Sequence, residues 1–429
     1  MELNTYKIRE SVLLDHIRTD RFKKARFTVT FKIPADGENY TRAALFLPTA
    51  MRATEKYPNF SSLCRRCDEL YGADIADMNS LRSGICLIGL RAVMLGNEYI
   101  NEDDRRAGFD VLDGVMEAMA QILLHPRLCE SDLETEKSNL INRINAQIND
   151  PFTFGIRRLR EIIMKDMPGV ITSDEAKEQA KRASTQALKE FFDTVLKKAS
   201  LEFFYCGEAS ADEVKALIER HFSELLYEKN DLLFAGLPQK AAQNVQVCES
   251  GAYGQSHLLM GFRTGIVLDD KEFYAAELMN EIYGEGPISK LFLNVREKRS
   301  LCYFCGSGYD ETNGIITVGC GINSDDREEA QAEILCQLEE MRKGNISDAE
   351  LDAAKQSIFS DCREAEDHPE DYEEFSRMER VFGGPLNIEE YRAGIERVTK
   401  EQVTSVAQKT QIDAVYFLRG DLEEDLRDE

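Results

Sequence analysis

Histidine is scarce in this chain: five residues among 429, His16, His125, His221, His257 and His368. None has a second histidine at helix-face spacing, so neither H-E-x-x-H nor H-x-x-E-H occurs. A self-contained zinc hydrolase is therefore not expected. Positive charge is also short, with 53 Lys and Arg against 78 Asp and Glu, a net charge of -25 and a pI near 4.8. That balance argues against nucleic acid, whose phosphates need a basic face. The acidic excess serves solubility first, and it would suit a cavity that attracts basic peptides. No run of about 18 apolar residues exists to span a membrane. The opening MELNTYKIRESVLLDHIRTD lacks the basic-then-apolar layout of a secretory signal, which leads to a cytoplasmic expectation. A G-x-S-x-G elbow and a G-x-x-x-x-G-K-[ST] phosphate loop are missing too. Acid-rich stretches such as NEDDRR and DLEEDLRDE read as solvated faces, because paired catalytic acids need burial.

Eleven cysteines, an odd number, cannot all pair within the chain, which fits a reducing compartment. Two pairs have C-x-x-C spacing, Cys64/Cys67 on an expected helix and Cys302/Cys305 on an expected strand. They lie too far apart for a zinc ribbon, whose pairs sit on turns about 15–20 residues apart. These read as ordinary buried cysteines.

What the chain does have is self-similarity. The helix SDLETEKSNLINRINAQINDPF begins at Ser131 and SDAELDAAKQSIFSDCREAEDHPE begins at Ser347, 216 positions later. Each opens on Ser-Asp, an N-cap signature, and each stops near a proline. The short apolar strands SLEFFYCGE and DAVYFLRGD end at Gly207 and Gly420, and a Thr-led helix precedes each. Upstream, CRRCDELYGADIADMNSLRSGICLIGLRA and FLNVREKRSLCYFCGSGYDETNGIITVGCGIN share a plan of helix then two strands, the second with Asn313-Gly314 as a two-residue hairpin turn. Alternation supports the strands: Phe27, Val29, Phe31 and Ile33 face one side, Thr28, Thr30 and Lys32 the other. A chain of this length exceeds one hydrophobic core. The expected architecture is α+β: two duplicated domains, each a mostly antiparallel sheet covered by helices on one face. The expected bounds are 1–225 and 247–429, joined by a linker at 226–246 where periodicity fades.

The best candidate site lies in YGEGPISKLFLNVREKRSLCY. Gly284 and Gly286 precede Pro287, a residue favoured at the first helical position. Such a turn would present N–H groups at a helix N-terminus, suited to an anion or a peptide carbonyl. Gly284, Gly286 and Ser289 are therefore candidate substrate contacts. Arg296 falls near the end of the same helix and Tyr303 opens the next strand, so the two can meet and offer donors to a peptide carbonyl or an oxyanion. An equally available reading has Arg296 capping helix carbonyls and Tyr303 packing in the sheet. A nucleotide- or thiol-using enzyme would rest only on GEGPISK and the C-x-x-C pairs.

With GEGPISKLF, NVREKRSLCY and EKYPN…DELYGA, the duplicated chain resembles the insulinase/pitrilysin family of zinc metallopeptidases over nearly its whole length. The resemblance is to the bacterial YmfF-type branch. In active members a first-half helix carries H-x-x-E-H, a later helix supplies a glutamate, and an Arg/Tyr pair seven apart in the second half holds the substrate backbone. The resemblance implies that role for Arg296 and Tyr303. It also implies that the zinc positions fall on Phe46, Thr49, Ala50 and Arg143, with Pro48 inside the expected helix. No zinc would then be bound by this chain. The implied partner is a homologous subunit bearing H-x-x-E-H and zinc, forming a heterodimeric metalloendopeptidase around a peptide. The alternative is a non-catalytic peptide-binding or scaffold protein of the same fold.

Overall fold

The computed structural model describes residues 1–9, 12–226, 243–385 and 387–421. Most of the linker expected at 226–246 lies outside the described residues. Two compact units are present. The first comprises Met1–Asn145 and the chain from Met167 up to the undescribed stretch; the second comprises Ala146–Asp166 and the described residues beyond it. Residues 146–166, which fall within the first domain by sequence order, thus belong to the second unit.

The first unit is built on β1 (Leu3–Arg9), β2 (Val12–Arg18), β3 (Lys24–Pro34), β4 (Asp74–Arg82), β5 (Ile85–Leu95) and β6 (Ser200–Gly207), in the order β1-β2-β6-β3-β5-β4. The second is built on β7 (Val245–Gly251), β8 (Ser256–Arg263), β9 (Cys302–Asp310), β10 (Ile315–Ile322) and β11 (Gln411–Gly420), in the order β7-β11-β8-β10-β9. Without β1 the two orders match strand for strand. The parallel pair also falls in the same place, β2 with β6 and β7 with β11, and the pairs beyond it are antiparallel. The α+β class and the duplication hold.

Strand alternation follows from burial. Phe27, Val29, Phe31 and Ile33 all enter the core of the first unit. The other side of β3 is also buried, and Lys32 there pairs with the carboxylate of Glu202 on β6. A charge without that partner would be costly to bury.

Two local expectations change. Ser347 caps its helix (Asp348–Ala365) through a reciprocal box with Glu350, but its counterpart Ser131 lies inside a helix that starts at Glu130. The β9–β10 hairpin has four loop residues rather than two, since Asp310 pairs with Ile315. Asp310 accepts from the Asn313 amide and from Thr312 Oγ1, a side-chain turn that parts the strands early.

Helix Pro151–Ile163 packs on β8, β10 and β11. Asp150 caps its start, accepting from Thr153 N at 3.1 Å, and Pro151 occupies the first turn, where a missing N–H costs nothing. At its far end Arg263 donates to the Ile163 carbonyl at 2.8 Å while pairing with Asp413 at 2.6 Å. Arg158 pairs with Glu249 at 2.5 Å. The helix lies close because glycines face it: a Cβ on Gly319 would sit 2.7 Å from the Phe152 ring. Gly319→Val should therefore lower unfolding stability by about 1–3 kcal/mol, the usual cost of overpacking. Denaturant titration checks this, and an unchanged midpoint would contradict the docking.

Candidate functional site

Helix Phe273–Asn280 widens into π turns over Glu281–Glu285. The chain bends at Gly286, and a second helical segment widens again over Phe292–Lys298. Wide turns of this kind often mark functional sites. Leu291 and Val295 hold the second segment to the core, and Lys290 ties it to Glu350 at 2.7 Å. It stops at Ser300, which adopts a left-handed φ of 52° and donates its amide to the Arg296 carbonyl at 3.0 Å.

The glycine-rich turn does not present its N–H groups as expected. Gly284 is buried, and a Cβ there would meet Ser307 Oγ at 2.5 Å, so its smallness lets the π turn approach β9. The Gly286 amide donates to the Glu281 carbonyl at 2.9 Å. Pro287 lies in the turn rather than in the helix. Ser289 is buried, donates its amide to the Gly286 carbonyl at 3.0 Å and accepts from Phe292 N at 3.4 Å through Oγ. Gly284, Gly286 and Ser289 are thus engaged within the fold.

Arg296 and Tyr303 are not. Both line one open depression of about 550 Å³, beside Gln255 and Asn323. The Arg296 guanidinium lies over the Phe292 ring at 4.7 Å, with its side chain 42% exposed. It pairs with neighbouring Glu297, at 3.4 Å. Tyr303 is 88% exposed. The pairing register explains this exposure. Cys305 faces Cys320 and Cys302 faces Ile322, so three steps on β9 match two on β10. The extra residue is a β-bulge, a device that re-aims side chains next to sites. Tyr303 and Phe304 both fall within it. Phe304 turns edge-on to Phe152, at 5.7 Å between ring centres. The contribution of Phe152 was not legible in the sequence; the Asp150-Pro151 helix start is its only signal.

In the first unit, Phe46, Thr49 and Ala50 lie on helix Asn39–Ala50 and are all buried. Pro48 is accommodated in its last turn instead of breaking it. Phe46 stacks on Phe192 with ring centres 3.8 Å apart. Thr49 Oγ1 donates to the Leu45 carbonyl at 2.6 Å. Arg143 is exposed on helix Glu130–Ala146, and Glu136 on that helix pairs with Arg52 at 2.5 Å. An aromatic ring, a committed hydroxyl, a methyl and a cation do not fit a zinc ion, which takes thiolate, imidazole or carboxylate. Among the described residues, no group of three or more His, Cys, Asp or Glu could hold a metal ion.

The family profile described as Peptidase M16 inactive domain matches residues 182–358. A "Probable inactive metalloprotease YmfF" of Bacillus subtilis is 26% identical over 97% of this chain and 98% of its own. The chain is thus similar in sequence and in fold to the insulinase/pitrilysin (M16) metallopeptidases. It is also 24% identical, over 68% of each chain, to an uncharacterized zinc protease of Mycobacterium tuberculosis. A conserved protein from Enterococcus faecalis shares the fold with a TM-score of 0.86 at 24% identity, covering 99% of this chain and 100% of its own. A peptidase M16 inactive domain from Pseudomonas fluorescens aligns with a TM-score of 0.77 at 18% identity, covering 98% of both chains. Among the described residues, no helix is long and apolar enough to cross a membrane.

Two outcomes follow. Phe46→His should gain no zinc by elemental analysis and should lose about 3 kcal/mol of stability, since it breaks a buried aromatic stack and buries a polar ring. Stoichiometric zinc in the variant would contradict the filled site. Glu281, beneath Gly286, is pushed up to about 7, first by burial and then by Glu285 and Asp361. An acid raised in the folded state contributes stability below its unfolded value and loses it as pH rises through 7. Glu281→Gln should flatten the fall in stability between about pH 5 and 7, as read by thermal melts across that range. An unchanged slope would contradict the assignment.

Proposed function

We propose that this chain is the zinc-free subunit of a heterodimeric M16 metalloendopeptidase, and that it contributes peptide binding and transition-state donors. The observation that carries the reading is an asymmetry between the two halves. The second half keeps Arg296 and Tyr303 exposed on one depression, while the first half fills the ligand positions with Phe46, Thr49, Ala50 and Arg143.

A peptide carbonyl entering the depression would accept hydrogen bonds from the guanidinium and from the phenol. As the carbonyl carbon is attacked, its oxygen gains negative charge and these bonds strengthen, which lowers the barrier rather than merely binding substrate. The metal and the water it activates would belong to the partner, a homologous chain bearing H-x-x-E-H. Extended basic peptides suit a chain with a net charge of -25. An odd number of thiols supports a cytoplasmic setting.

The buried aromatic stack at Phe46, a position the resemblance assigns to a metal ligand, equally suits a non-catalytic peptide-binding or scaffold protein, and kinetics separate the two readings. With the zinc-bearing partner added, a fluorogenic peptide should be cleaved. Arg296→Ala and Tyr303→Phe should each lower kcat/KM by about 10²-fold, with assembly intact by size-exclusion chromatography. Unchanged kcat/KM in both variants would overturn the donor role. Assembly with no cleavage by any reconstituted pair would favour the scaffold.

A further inference from the structure

Side chains alternate along a strand, so residues three apart, such as Cys302 and Cys305, should face opposite ways. The β9 bulge changes that. Their cross-strand partners, Ile322 and Cys320, are two residues apart and share a face, so Cys302 and Cys305 share it as well. Cys305 pairs directly across the sheet with Cys320, and Cys302 lies on the same face at the other end of the bulge. The three differ in access: Cys302 is half-buried and lines the Arg296/Tyr303 depression, whereas Cys305 and Cys320 are buried. The Cys302 thiol is held below its ordinary range by the hydrogen bond with Cys305, helped by the Arg296 charge and opposed by burial. Cys305 is pushed up by its bonds to the neighbouring sulfurs and by burial. A half-buried thiol at the rim of a depression, with a buried thiol on the same face of the strand, is the arrangement of an attacking and a resolving cysteine.

We propose that Cys302 and Cys305 form a peroxide-sensitive dithiol site, and that their disulfide re-aims Tyr303 and weakens peptide binding. The second half of this proposal rests on the peptide-binding reading above. The oxidant is hydrogen peroxide. The Cys302 sulfur attacks one peroxide oxygen; an S–O bond forms, the O–O bond breaks, and the other oxygen leaves as hydroxide, which takes the Cys302 thiol proton to become water, giving a sulfenic acid. Cys305 then attacks the Cys302 sulfur; an S–S bond forms, the S–O bond breaks, and the hydroxide takes the Cys305 proton as a second water. Two thiols are oxidised and one peroxide is reduced, by two electrons. The product constrains the backbone. A disulfide brings its Cα atoms to about 4.4–6.8 Å, whereas three extended residues span about 10 Å. The bulge must tighten, and Tyr303 lies within it.

The test uses the full chain, reduced and then exposed to hydrogen peroxide, with a fluorescein-labelled, lysine-rich extended peptide as the binding probe. Peptide mapping by mass spectrometry should find Cys302 joined to Cys305 with the loss of two hydrogens. Fluorescence polarisation should show affinity falling by about tenfold, the loss expected for one displaced hydrogen-bond donor. A dithiol reductant should restore it. Cys305→Ser should bind the probe as the reduced chain does and lose the peroxide response, and Cys302→Ser should lose that response too. A chain whose thiols stay reduced, a disulfide that maps to Cys305–Cys320, or a Cys302–Cys305 disulfide that leaves affinity unchanged would each overturn the proposal. Failure of the reduced chain to bind any peptide would instead overturn the peptide-binding reading, while mapping would still decide whether the dithiol site exists.

Discussion

An extra residue between Cys302 and Cys305 governs how the second unit presents its site. In a regular strand Tyr303 would follow the alternation of the edge and lie against one face of the sheet. The bulge instead places two aromatic residues opposite a single glycine, Gly321. Phe304 is drawn toward Phe152, and Tyr303 is left in solvent. The helix that carries Arg296 is fixed by Leu291, Val295 and the Lys290–Glu350 pair, so the guanidinium stands over the same depression. The placing of Arg296 and Tyr303 on one depression thus depends on one irregularity in pairing and on one anchored helix.

The two halves share a topology but have spent it differently. Helix Asn39–Ala50 in the first unit is closed into the core, with Phe46 against Phe192 where a metal-binding member would need lone pairs. Helix Phe273–Asn280 in the second unit runs on into wide turns that carry a buried carboxylate, Glu281. The first arrangement gains stability by removing apolar surface from water. The second keeps a proton-holding group under a tight turn.

Much of the fold was legible in the sequence because it repeats. Two copies of the same helix starts, strand ends and apolar alternation are hard to obtain by chance, and they specified the α+β duplication. Other features were hidden because they depend on contacts distant in sequence. Nothing near Pro151 indicates that its helix packs on β8, β10 and β11 of the second unit; that docking depends on Gly155, Gly261 and Gly319 lying under it. The bulge is equally invisible, since only the cross-strand register reveals it. The glycine-rich turn misleads for a local reason. Gly284 and Gly286 permit close approach to Ser307 and Glu281 and do not free their amides for a ligand. Of the five second-half residues singled out by sequence, Arg296 and Tyr303 alone present side chains to the depression.

The account turns on whether this chain touches the reacting carbonyl. The most direct measurement is a crystal structure of the chain assembled with a zinc-bearing M16 partner, the partner's general base disabled and a peptide trapped inside. The account predicts an Arg296 nitrogen and the Tyr303 oxygen within about 3.2 Å of one backbone carbonyl oxygen of the peptide. A trapped peptide whose carbonyls are held by the partner alone, with Tyr303 still in solvent, would contradict it.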